Sequence, residues 1–167
     1  GQLSDLTANE REVFTRLNGL ISNSFDGFDL NAIVYEEDFS GGIPDGWSIS
    51  DDAESGFTWE LNNGSLDNDY DDYMIADSDV AGSGETVTST LTTAPIDITG
   101  LDNVFFAISH DYRHLGDQSG TIEWSLDGEN WNVLTEYTAD NRFADDVFDI
   151  TGAVAAPGEI SFRFVFD

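Results

Sequence analysis

The stretch Thr121-Ile-Glu-Trp-Ser-Leu-Asp-Gly-Glu-Asn-Trp-Asn-Val-Leu134 decides how the chain reads. Two short runs that alternate apolar and polar residues flank Asp127-Gly128. Asp-Gly in that setting is a strong hairpin signal, because glycine accepts the positive φ that a tight turn needs. By the two-residue period of a strand, Ile122, Trp124 and Leu126 share one face and Thr121, Glu123 and Ser125 share the other. One face is expected in a core and the other in water. Trp131 returns just after the turn, where it can close the hairpin as a cross-strand aromatic contact.

Outward from this hairpin the chain continues as strands. The pattern predicts them at Val34 to Phe39, Phe57 to Leu61, Tyr73 to Ala76, Thr86 to Thr92, Val104 to Tyr112, Thr121 to Leu126, Asn132 to Tyr137, Asp146 to Ile150 and Glu159 to Phe166. In the last of these Ile160, Phe162, Phe164 and Phe166 alternate with Ser161, Arg163 and Val165. Short strands separated by Gly, Asn, Asp and Pro turns point to an all-β fold, an antiparallel β-sandwich with jelly-roll topology. The chain has 167 residues and 12 Phe, which is enough for one ordinary domain with a single core.

The start is different. Between Thr7 and Ile21 the residues Val13, Phe14, Leu17, Leu20 and Ile21 form one helical stripe, and Thr7-Ala8-Asn9-Glu10 has the form of a capping box. An N-terminal α-helix is therefore expected, followed by a polar linker from Ser22 to Asn31. Residues 1–31 are read as helix and linker, and 32–167 as the sandwich domain. Arg11 and Arg16 lie on the helix, which suits docking on an acidic body or on a partner.

Charge narrows the partners. There are 34 Asp and Glu against five Lys and Arg, for a formal charge of −29, and every one of the five is Arg. Such a field disfavours nucleic acid and anionic membranes. It suits a saline or calcium-containing setting, where ions screen or neutralise carboxylates. The absence of cysteine removes disulfides, thiolate metal sites and thiol nucleophiles together. No apolar run approaches the roughly 20 residues of a membrane span.

Several local patterns then coincide in order. Glu37-Asp38-Phe39 is followed by Ile43-Pro44-Asp45-Gly46-Trp47, Asp51-Asp52 and Phe57-Thr58-Trp59. Thr90 to Ile98 runs a strand into a Pro-bounded turn, Ser125-Leu126-Asp127-Gly128 leads to Trp131, and Ile160 to Phe166 follows. Together these resemble bacterial choice-of-anchor J domains and the related cleaved-adhesin and MAM-like modules, over roughly residues 34 to 167. The resemblance implies a jelly roll on secreted or cell-surface bacterial proteins, commonly an adhesive or glycan-binding module with structural calcium. It also implies a Gly-rich turn and a closing strand after Phe166. The chain stops before them, so either it is cut short there or another chain fills the gap, by donating a strand to an open sheet edge.

Calcium takes about six to eight oxygen ligands, and Asp67, Asp69 and Asp71, with Asp77 and Asp79 close behind, form the densest acidic stretch. A solvated acidic loop is the plainer reading of it. The resemblance adds Glu37 or Asp38, together with Asp77, Asp79 and Asp111, as calcium ligands. His110 and His114 are four apart, but on a strand that is about 13 Å at roughly 3.3 Å per residue, too far for a zinc pair. For a glycan ligand the exposed-aromatic candidates are Trp47, Trp59, Tyr70, Tyr73, Trp131 and Tyr137, with His114 at a loop rim. Trp124 reads as core.

Catalysis has little support. No nucleophile-elbow serine is present, and phosphate loops that need Lys are excluded. The first function expected is a non-catalytic, calcium-stabilised adhesion or carbohydrate-binding module whose partner is a glycan or a surface protein. The alternative is a structural subunit of a filament, layer or virion decoration, assembled through the helix and the open edge.

Overall fold

The computed structural model describes residues 33–62, 72–81, 86–101, 103–114, 116–152 and 158–167, and of residues 79 and 81 the backbone alone. The expected helix at Thr7 to Ile21 and the linker at Ser22 to Asn31 lie outside the described residues.

Among the described residues ten strands and one helical turn follow in order: β1 Ser48–Asp51, β2 Glu60–Leu61, β3 Met74–Ile75, α1 Ser78–Ala81, β4 Ser89–Thr92, β5 Ile96–Asp97, β6 Phe105–Tyr112, β7 Gly120–Ser125, β8 Asn132–Tyr137, β9 Arg142–Asp149 and β10 Glu159–Phe166. All pairings are antiparallel. A large sheet has the order β1-β4-β10-β7-β8, with β5 also pairing with β10; β6 pairs with β9, and β2 with β3.

The two larger sheets close on each other through aromatic residues. On β10 the residues Ile160 and Phe162 are buried, at 2% and 5% exposure, as the alternation requires. Phe106 of β6 stacks on Phe162 with ring centroids 4.2 Å apart, and Phe148 of β9 lies 6.3 Å from Phe106. Ile98 and Ile150 complete this core, and Trp124, Leu134 and Phe164 pack against it. A smaller cluster of Phe57, Val87 and Phe166, flanked by Trp59 and Ala76, continues it. Two sheets sharing one apolar layer make an antiparallel β-sandwich.

The Asp127-Gly128 hairpin forms as expected, joining β7 to β8 with Gly128 at φ 73°. Ser125 and Asp127 build the turn. Gly128 N–H donates to Ser125 Oγ at 2.9 Å, while the Asp127 carboxylate accepts from the N–H groups of Glu129 and Asn130 and from the Asn130 amide. These donors, with Asn130 the strongest, hold the Asp127 carboxyl far below the ordinary carboxylate range. Leu126 departs from the expected core face. It is 39% exposed, because it lies past the end of β7 and belongs to the turn.

Other expectations are corrected. Val34 to Phe39 is not a strand. The Glu37 carboxylate accepts from Phe39 N–H at 2.7 Å, Asp38 accepts from Ser40 N–H at 3.0 Å, and Phe39 has φ 60°. Side chains that bond nearby backbone donors offer the chain a turn in place of a ladder. The last described strand, β10, is paired on both sides, with β7 on one and with β4 and β5 on the other. Asp167 even extends the pairing, exchanging two backbone hydrogen bonds with Ser119.

The central position of β10 makes Ile160→Ala a stringent test of this core. Removing a fully buried isoleucine side chain is expected to cost about 2–5 kcal/mol, read as a lower denaturation midpoint in urea. A loss below about 0.5 kcal/mol, the range of an ordinary surface change, would contradict the packing described.

Candidate functional site

Three polar or aromatic groupings stand out. The first lies between the sheets. In β6 and β9 the register pairs Ile108 with Asp146, His110 with Ala144 and Tyr112 with Arg142, so all six share the face that carries Phe106 and Phe148. Polar residues on this inward face need partners, and they find one another. His110 Nε2 lies 2.8 Å from Asp146 Oδ2, Tyr137 of β8 donates its hydroxyl to the same oxygen at 3.3 Å, and Arg142 donates both Nε, at 2.9 Å, and Nη2 to the carboxylate. An ionised carboxylate can only accept, so Nε2 of His110 carries the proton. Tyr112 stacks on Tyr137 at 5.6 Å and donates its hydroxyl to the carbonyl of Gln118 at 2.8 Å.

Electrostatics follows from these contacts. The Arg142 guanidinium, reinforced by His110 and opposed by partial burial, lowers the Asp146 carboxyl to about 2. Burial pushes the Tyr137 phenol up, and the nearby Asp146 charge adds to it. Asp146 thus joins three strands of both sheets and acts as a polar clamp at the end away from Phe106.

The second grouping is on the loop before β1. Tyr35 and Trp47 stack at 6.5 Å, the indole N–H of Trp47 donates to Tyr35 Oη at 3.1 Å, and Phe39 meets Trp47 edge-on at 5.7 Å. Tyr35 is 40% exposed, and its hydroxyl lies 3.5 Å from the Glu37 carboxylate. A partly exposed aromatic surface, with Phe39 and Trp47 half-buried and a carboxylate at its rim, is therefore present around Trp47. The third grouping lies on the outer face of the large sheet, where Trp131 covers the Arg163 guanidinium at 4.4 Å and Arg163 is ion-paired with Glu123.

The remaining sequence candidates divide. Trp59 is structural: its backbone and indole N–H groups donate to Ser89 Oγ and O at 3.0 and 3.1 Å, and it packs on the Phe57 cluster. Ser89 is fully buried and donates its own hydroxyl hydrogen bond to the Ser50 carbonyl at 2.9 Å. Tyr73 is half-buried beside β3, its carbonyl accepting from Asn62. His114 is half-buried, 3.4 Å from the Tyr112 hydroxyl. Tyr70 lies outside the described residues.

The acids proposed for calcium fall partly within the described residues. Glu37 and Asp38 accept from their own loop, as above, and Asp111 pairs with Arg113 at 3.0 Å. A ligand carboxylate needs its lone pairs directed at the cation, and a guanidinium beside it opposes that. Among the described residues, Glu37, Asp38, Asp77 and Asp111 included, no three of His, Cys, Asp and Glu are grouped to hold a metal. Asp67, Asp69 and Asp71 lie outside the described residues, as does the side chain of Asp79. Among the described residues no helix is long and apolar enough to cross a membrane.

No family model matches the sequence, and no curated protein does. Among solved structures, the fold is similar to the K1 cleaved adhesin domain of Lys-gingipain from Porphyromonas gingivalis W83. The TM-score is 0.53 over 78% of this chain and 92% of that one, at 16% sequence identity. The shared property at this identity is the fold.

Asp146 gives a pH prediction with a definite sign. Its folded-state value of about 2 is below the ordinary value of about 3.9. The carboxylate therefore stabilises the fold above about pH 4, and that contribution disappears as pH falls through about 2. Asp146→Asn is expected to melt at a lower temperature near neutrality and to lose less of its stability between about pH 4 and pH 2 than the wild type. Parallel pH profiles by circular dichroism would contradict the clamp.

Proposed function

We propose that this chain is a non-catalytic extracellular module for adhesion or carbohydrate recognition, built on a jelly-roll sandwich of a secreted or cell-surface bacterial protein. The observation that carries the reading is the aromatic surface of Tyr35, Phe39 and Trp47 with the Glu37 carboxylate at its edge. Likeness in fold to an adhesin domain supports it. A sugar ring needs an aromatic face for its C–H side and fixed polar groups for its hydroxyls, which is the usual division of labour in a ligand site. The indole of Trp47 is held by the Tyr35 hydroxyl and by two neighbouring rings, so little side-chain freedom would be lost on binding. The polar clamp at Asp146 fits a structural role better than an acid–base one, because its carboxylate is already occupied by Arg142, His110 and Tyr137.

The wild-type protein is expected to bind a subset of glycans on an array, and Trp47→Ala to bind them at least tenfold more weakly with an unchanged far-ultraviolet spectrum. An array that stays blank for the wild type sinks the proposal. Calcium enters it through Asp67, Asp69 and Asp71, with Asp77 and Asp79 close behind along the chain, a set brought forward by the sequence. A cation bound only to the folded state raises its stability, so adding a chelator is expected to lower the melting temperature. An unchanged temperature removes calcium from the account.

A further inference from the structure

The outer face of the large sheet carries a grouping that neither the fold nor the Trp47 surface uses. Cross-strand registers place Val133 of β8 opposite Glu123 of β7, Glu123 opposite Arg163 of β10, Arg163 opposite Thr92 of β4, and Thr92 opposite Ser48 of β1. Directly opposed residues share a face, so these five side chains form one row running across the strands. Arg163 alternates with the inward Phe162 and Phe164, which fixes the row on the face away from the core. Five strands at about 4.8 Å spacing give the row a length of about 19 Å.

The centre of this row is rigid and electrically balanced. The guanidinium of Arg163 and the Trp131 ring lie 4.4 Å apart, a cation–π contact that ties the indole to the sheet. Arg163 is paired through Nε with Glu123, whose side chain is 13% exposed, and the two charges cancel. Among the described residues the Nη groups of Arg163 make no further hydrogen bond, which leaves N–H donors beside the indole. On one flank Thr92 and Ser48 offer hydroxyls. On the other, Val133 offers an apolar surface at 61% exposure.

We propose that this row is a second binding track, for an extended, uncharged glycan chain that crosses the strands with a sugar ring on the Trp131 indole. The class of ligand follows from charge. On a chain of formal charge −29, an anionic polysaccharide meets repulsion that the single, already neutralised Arg163 does not offset. A cationic ligand has 34 carboxylates to choose from and no reason to select this one. A neutral polymer matches a neutral row, and its length suits a row rather than a pocket. The track rests on the carbohydrate reading above and gives it a second site and a ligand class.

The test is calorimetric titration of neutral β-linked and α-linked hexasaccharides, with a uronic-acid hexasaccharide alongside, into the full chain. One or more neutral probes are expected to bind the wild type and the acidic probe not to bind. Trp131→Ala is expected to weaken neutral binding at least tenfold, and Trp131→Phe to stay within about threefold. Val133→Glu, at an exposed position that the core does not need, is expected to weaken it about tenfold without moving the melting temperature. This variant keeps the test decisive if Trp131→Ala does not fold. Neutral binding that survives both Val133→Glu and any folded Trp131 variant, but is abolished by Trp47→Ala, overturns the track and leaves the module reading intact. Preference for the acidic probe also overturns it. No binding of any glycan by the wild type overturns the module reading itself, and the track with it.

Discussion

The stack of Phe106 on Phe162 is the contact on which the sandwich depends. It is the shortest described ring contact, at 4.2 Å, and joins a two-stranded sheet to the centre of a much larger one. A two-stranded ribbon is marginal by itself. The pair β6 and β9 persists because one end is fixed by this stack and the other by Asp146, which ties Arg142, His110 and Tyr137 together. The two attachments are chemically opposite. At the Phe end burial of apolar area acts without direction. At the Asp146 end the groups must meet in one geometry or leave a charge unpaired between the sheets.

What could be read from the sequence follows the same division. Where a strand buries apolar residues on every second position, alternation identified it, as in β10 and in the Ile122 and Trp124 pair of β7. Where the inward positions are polar, alternation failed. The strand β9 was expected only from Asp146, yet it begins at Arg142, because its inward residues Arg142, Ala144 and Asp146 include two charges that serve the clamp. The signal that could have found them was His110. It falls in phase with Ile108 and Tyr112, and a histidine in register with core residues calls for a partner. Short strands were invisible for another reason: Ser48–Asp51 has a single apolar residue, and Ile96–Asp97 is two residues long, extending the line of β4 beyond the break at Pro95.

The site residues were legible as residue types more than as places. Trp47, half-buried, stacks with the exposed Tyr35 on the loop before β1, whereas Trp59, equally aromatic in sequence and equally half-buried, is committed to Ser89. Nothing local distinguishes them. The difference is that Trp59 sits opposite a fully buried serine brought from 30 residues away. The abundance of acids hid information in a similar manner. With 34 Asp and Glu, a cluster along the chain says little about a cluster in space, and Asp111 turned out to face Arg113.

The place of β10 bears on how the molecule comes to be folded as it is made. The strand is synthesised after the nine other described strands, yet it lies between β4 and β7 and supplies the ladder that joins them. Until it emerges, β1 with β4 and β7 with β8 are two fragments of sheet with no hydrogen bonds to each other, and the ring on which Phe106 settles does not exist. Domains whose contacts are local can begin to organise on the ribosome from their first residues. Here closure of the large sheet waits for β10, and it brings together residues more than 70 positions apart, such as Ser89 and Phe166. Long-range pairing of this kind is slow to form. The intermediate would expose two half-sheets with bare edges, and a surface of formal charge −29 is well suited to keeping such edges from meeting those of another chain.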